Sequence, residues 1–146
     1  MGDPCREGYN WTNSSWAIYH AKGKYKAMAL ITVGDKKFEA EANKRLVLAI
    51  EDAGIPILHR CGGYAKCTTC RVTFRENEPR KMTAAEKQRL QSEPGLYGRI
   101  RLSCQILCEQ DMTVEPQLTM ENAEVEDPGK RPEDIVTPDA VWTIKD

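Results

Sequence analysis

The stretch Cys61-Gly-Gly-Tyr-Ala-Lys-Cys67-Thr-Thr-Cys70, answered far downstream by Arg101-Leu-Ser-Cys104-Gln, governs the reading of this chain. Glycines and small residues separate the first three thiols and leave no helical or strand period, so residues 61–70 read as a loop. The flanking patterns supply its frame. Met28 to Val33 is a short apolar, β-prone run, Gly34-Asp35 is a turn, and Phe38 and Ala40 alternate with Lys37, Glu39 and Glu41, which predicts a hairpin. Leu46, Ala49, Ile50 and Ala53 recur at i, i+3, i+4 and i+7, the stripe of a helix that Asn43 is placed to cap and Gly54 and Pro56 to stop. Beyond the loop, Arg71 to Phe74 reads as a strand. Thr83-Ala-Ala-Glu86 fits a capping box opening a short helix through Leu90. Gly95 and Gly98 break the pattern, Ile100 and Leu102 lead into Cys104, and Met112 and Val114 alternate like a closing strand.

These segments divide the 146 residues into an N-terminal extension (1–27), a patterned domain (28–116) and an acidic C-terminal tail (117–146). The chain suits one domain with extensions. A net charge of −1 excludes a general nucleic-acid binder, which needs a basic excess against phosphate. Ala27 to Val33 is far too short to span a membrane, and Met1 to Asn10 has no apolar signal region. Those features predict a cytoplasmic protein, in which six cysteines serve as metal ligands or free thiols rather than disulfides.

Three clustered thiolates and one remote thiolate can complete the sulfur shells of two bridged irons. Gly62 and Gly63, with small Ala65, Thr68 and Thr69, suit a loop that must turn backbone N–H groups inward at sulfur. Structural zinc is the alternative. It favours two close pairs, and here Cys67/Cys70 with Cys104/Cys108 would leave Cys61 over.

The wording Cys61-Gly-Gly-Tyr-Ala-Lys-Cys67-Thr-Thr-Cys70-Arg-Val, with Arg101-Leu-Ser-Cys104-Gln and Asp111-Met-Thr-Val-Glu-Pro116, resembles the [2Fe–2S] ferredoxin family over about residues 28–116. The five-residue first gap is longer than the plant-type spacing and resembles adrenodoxin-like ferredoxins and ferredoxin domains attached to bacterial adenylate cyclases. The resemblance implies an α+β, β-grasp fold and one [2Fe–2S] cluster on Cys61, Cys67, Cys70 and Cys104. By analogy, Cys61 and Cys67 share one iron, and Cys70 and Cys104 the other. It also implies one-electron transport between a ferredoxin reductase and an acceptor redox enzyme, with no bond-making chemistry of its own. A redox-sensing regulator acting through partner binding is the second reading.

Cys108 competes formally with Cys104 but reads as a small buried hydrophobe, and Cys5 as a free thiol. His59 reads as a packing residue near the loop rather than a ligand. Arg60, Lys66, Arg71, Arg99 and Arg101 flank the cysteines. Most of them read individually as solvated surface, yet together they should lift the reduction potential above the plant-type value of about −400 mV. Trp11, Trp16 and Trp142 lie outside the patterned domain. Large aromatics there suggest docking, with an unstructured tail as the alternative.

Overall fold

The computed structural model describes residues 28–145, so the expectations for Cys5, Trp11 and Trp16 lie outside the described residues. The predicted hairpin forms from β1 (Met28–Val33) and β2 (Lys36–Glu41), antiparallel with Met28 opposite Glu41. Gly34 takes a φ of +60° in the intervening turn, where a side chain would be strained. Three further strands complete a mixed sheet in the order β2-β1-β6-β3-β5: β3 (Arg71–Glu76), β5 (Arg101–Leu102) and β6 (Met112–Pro116). β6 runs parallel to β1 and antiparallel to β3, joining the first strand to the segment that leaves the cysteine loop.

The helix α1 (Leu46–Asp52) lies where the apolar period placed it, but two details differ. Asn43 does not cap it. The N-cap is Arg45, whose side chain makes no cap bond, and the first helical N–H, of Leu46, instead donates to Ile106 O at 2.7 Å. Nor is there a single apolar stripe, because Leu46 to Ile50 are all buried. A second covering makes this possible, and it comes from the tail. Arg131 donates to both Glu51 and Asp52 on the helix, and Leu58 N and His59 N, just past it, donate to Leu118 O and Pro128 O.

The tail ends in β7 (Trp142–Ile144), which pairs antiparallel with β4 (Lys81–Thr83) as a separate two-stranded sheet. Lys81 Nζ sits 4.3 Å from the centre of the Trp142 ring, a cation–π contact that supports the docked register.

The Asp52–Arg131 clasp gives a pH prediction. Desolvation raises the Asp52 carboxyl, but hydrogen bonds from Arg131 and Lys44 outweigh it and hold its pKa below the usual 3.8. A depressed carboxylate contributes stability above its unfolded pKa and loses it as pH falls through the folded one. The clasp is therefore complete at neutral pH. NMR titration of Asp52 should give a midpoint below 3.8, moving upward in Arg131→Ala; a wild-type midpoint at or above 3.8 refutes the clasp.

After β4, the helix α2 (Ala84–Gln91) opens with Thr83 accepting from Glu86 N at 3.0 Å, so half of the predicted capping box forms. The other half does not. The Glu86 carboxylate turns inward, fully buried, and takes Arg101 Nε at 2.7 Å, Arg101 Nη2 at 3.1 Å and Leu102 N at 2.8 Å. Arg101, read from the sequence as solvated surface, is 2% exposed and inside this fork. The reason is topological: β5 is the sheet edge that α2 covers, so its outward arginine meets the helix rather than water.

Candidate iron–sulfur site

Residues 61–70 form an irregular loop between α1 and β3, and its backbone explains its composition. Gly62 and Gly63 have φ of +73° and +93°, while Ala65 and Thr68 also take left-handed values of 59°. For a non-glycine residue that conformation costs on the order of 1 kcal/mol. Arg71 offsets the cost at Thr68, donating from Nε to its carbonyl at 2.9 Å and from Nη2 to its hydroxyl at 2.6 Å. At Gly63 a Cβ would stand 2.6 Å from Arg45 Nη2 and 2.8 Å from Pro132 Cβ, so only glycine fits.

The turns aim N–H groups at sulfur. Cys61 N lies 3.2 Å from Cys67 Sγ, Tyr64 N 3.3 Å from Cys61 Sγ, and Thr69 N 3.5 Å from Cys67 Sγ. Thr69 Oγ1 approaches Cys67 Sγ at 3.0 Å and accepts from Arg60 N at 2.9 Å. The fourth cysteine arrives on a 3₁₀ turn, Ser103–Gln105, that follows β5. That turn is tied to the loop exit by Ser103 N and Oγ, both donating to Cys70 O. Gln105 Nε2 donates to Cys104 Sγ at 3.5 Å.

Thus the four thiols meet as two pairs, Cys61 with Cys67 and Cys70 with Cys104. In each pair one thiol donates to the other. The bond from Cys67 is the main force lowering Cys61, to about 4, aided by backbone N–H groups including those of Lys66 and Tyr64. The bond from Cys70 likewise lowers Cys104, helped by Gln105 and by the charge of Arg45. Each pair thus favours one thiolate, on Cys61 and on Cys104, while the donating thiols of Cys67 and Cys70 are pushed up by the same bond and by burial. The pairs differ in depth: Cys61 and Cys67 are half-buried, whereas Cys70 and Cys104 are buried.

Two thiol pairs with N–H groups aimed at sulfur are the donor chemistry a two-iron cluster needs, though among the described residues they do not close into one metal-holding group. Cys108 is also buried, but in the apolar core, where burial pushes its thiol up to about 12. His59 packs at 1% exposure with Nε2 3.2 Å from Glu51 Oε2, remote in role from the thiol pairs.

The family profile described as "2Fe-2S iron-sulfur cluster binding domain" matches residues 31–109. The chain belongs to the [2Fe–2S] ferredoxin family. A 2Fe-2S ferredoxin from Haemophilus influenzae is 33% identical over 89 residues, 58% of this chain and 79% of that protein. A component of the Na(+)-translocating NADH-quinone reductase from Idiomarina loihiensis is 35% identical over 81 residues, 56% of this chain. The chain spans only 19% of that longer relative. Among solved structures, a ferredoxin reductase in carbazole 1,9a-dioxygenase (FAD apo form) superposes with a TM-score of 0.52 at 17% identity, over 63% of this chain and 30% of that one. This likeness speaks to fold. As a member of this family, the protein has an α+β, β-grasp architecture and carries one [2Fe–2S] cluster. No helix among the described residues is long and apolar enough to cross a membrane.

Sequence reasoning missed Arg45. It is completely buried, and its guanidinium donates to Cys104 O at 2.8 Å and Gly63 O at 2.6 Å. An arginine opening an apolar helix signals surface by composition alone. The pairing of Arg45 with Leu107, with Leu46 N bonded to Ile106 O and Cys108 N to Lys44 O on either side, places it beside the fourth cysteine.

Proposed function

We propose that this ferredoxin takes one electron from a ferredoxin reductase and passes it to an acceptor redox enzyme in the cytoplasm, making and breaking no bonds itself. In this reading Cys61 and Cys67 hold one iron, and Cys70 and Cys104 the other. The bound cluster supplies a one-electron couple. The protein's part is to hold four thiolates still and to stabilise the charge they carry.

The pairing of the thiols at two depths carries the proposal. The inner pair is anchored to β3 and β5, through Cys70 beside Arg71 and Cys104 after Leu102, and so is fixed by the sheet. The outer pair sits beneath exposed Tyr64 and Lys66, which makes this edge the face for docking. Exposed Arg60 lies on the same loop and favours a partner with carboxylates there.

One aerobic visible spectrum with iron and sulfide analysis tests the cofactor, and an anaerobic titration tests the carrier. About two irons and two sulfides per chain and a one-electron couple are expected. Protein that stays colourless and iron-free after anaerobic reconstitution ends the reading.

The regulatory alternative has one observation in its favour: the tail touches the cysteine loop, with Thr137 Oγ1 donating to Gly63 O at 3.0 Å and Gln105 Nε2 to Thr137 O at 2.8 Å. A sensor would change amide exchange in residues 128–144 on reduction. A simple carrier would not.

A further inference from the structure

Arg45 is fully buried, yet among the described residues no carboxylate pairs with it. All five oxygens it reaches are uncharged: Cys104 O, Gly63 O, Glu133 O at 2.9 Å, Ile135 O at 3.1 Å and Thr137 Oγ1 at 3.3 Å. Burying a charge without an opposite charge is costly, and carbonyl dipoles compensate only in part. Something anionic must justify it, and the thiolate site is the anion at hand.

The other cations near the site are poor substitutes. Arg60, Lys66 and Arg99 are exposed and therefore screened by salt. Arg101 is matched by the buried carboxylate of Glu86. Arg71 is only half-buried and directs its guanidinium to the Thr68 carbonyl and hydroxyl, so Arg45 alone combines full burial with an unneutralised charge.

Three of its five acceptors belong to the tail, which lies flat over the loop. Glu133 contributes its carbonyl here, while its carboxylate faces the Tyr64 hydroxyl at 3.5 Å. The tail reaches this position through Gly129, where a Cβ would meet His59 O at 2.6 Å and Arg60 Cα at 2.7 Å.

We infer that Arg45 is the positioning residue whose buried charge offsets that of the four-thiolate site, and that residues 128–137 form the strap sealing it from water. The inference rests on the ligand reading above and assigns the tail a part in setting the potential. Reduction adds negative charge to the site, so a buried cation raises the midpoint, and a wetted one raises it less.

Anaerobic titration of the full-length holoprotein at low and high salt tests this, with amide exchange at 133–137 as a second readout. Arg45→Gln should lower the midpoint, and Arg45→Lys, which keeps the charge, should stay closer to wild type. Gly129→Ala keeps Arg45 but forces the strap off the 59–60 backbone. It should speed exchange at 133–137, lower the midpoint and make it newly salt-dependent. That variant carries the test alone if Arg45→Gln fails to assemble a cluster. Equal midpoints in the Lys and Gln variants, or a released strap with a wild-type midpoint, would overturn the inference. A cluster-free wild-type protein would instead bring down the ligand reading beneath it.

Discussion

Cys104→Ser should lose the visible bands, with iron falling from about two per chain toward none, whereas Cys108→Ser should keep its cluster. The two cysteines are four residues apart and both 0% exposed, so burial does not separate them. Their surroundings do. Cys104 Sγ meets the Cys70 thiol and receives Gln105 Nε2, in a setting that lowers its pKa. Cys108 lies among core side chains that penalise a thiolate, and its pKa rises to about 12. Serine at 104 replaces a soft thiolate with a hydroxyl that stays protonated near neutral pH, which leaves the inner pair without its second ligand. Iron analysis and visible absorption of both variants decide the matter. A colourless Cys108→Ser beside a fully loaded Cys104→Ser would reverse the assignment.

Glu86→Ala is expected to be the most destabilising single change away from the cysteines. It removes a buried carboxylate that binds Arg101 through a two-pronged fork and also accepts from Leu102 N. Breaking one side of such a pair costs about 3–5 kcal/mol, because the remaining charge stays buried and uncompensated. Glu78 reaches Arg101 Nη1 at 3.3 Å but is 30% exposed, and so compensates only weakly. Glu86→Gln keeps a hydrogen-bond acceptor and should lose less. Replacing both partners, as Glu86→Leu with Arg101→Met, should recover much of the loss. Chemical denaturation of the four proteins measures this. A Glu86→Ala variant within about 1 kcal/mol of wild type would show that the fork contributes little.

What was legible in the chain divides along a physical line. Met28–Val33 and Lys36–Glu41, the helix at Leu46, and the Thr83 cap follow from period and turn chemistry, which act between near neighbours. The family and its cofactor were legible because iron–sulfur ligation constrains residue type and spacing together. Asn43 misled because a capping side chain is only one way to satisfy a helix start; here the carbonyl of Ile106 does it. Glu86 misled for a related reason: a capping box is local, and a buried arginine from another strand competes for the same carboxylate.

By itself, then, the order of residues determined the hairpin, the helix, the loop and the identity of the cofactor, since each is written in spacings of a few residues or in an unusual set of thiols. Only the tertiary structure decided which charges are buried, how deep each thiol lies and where the acidic tail lies. Arg45 and Arg101 look alike in a sequence. One meets the uncharged carbonyls of a strap and the other a buried glutamate, and those partners come from segments far along the chain. Electrostatic energy depends on distance and water access, and neither exists until the chain has folded.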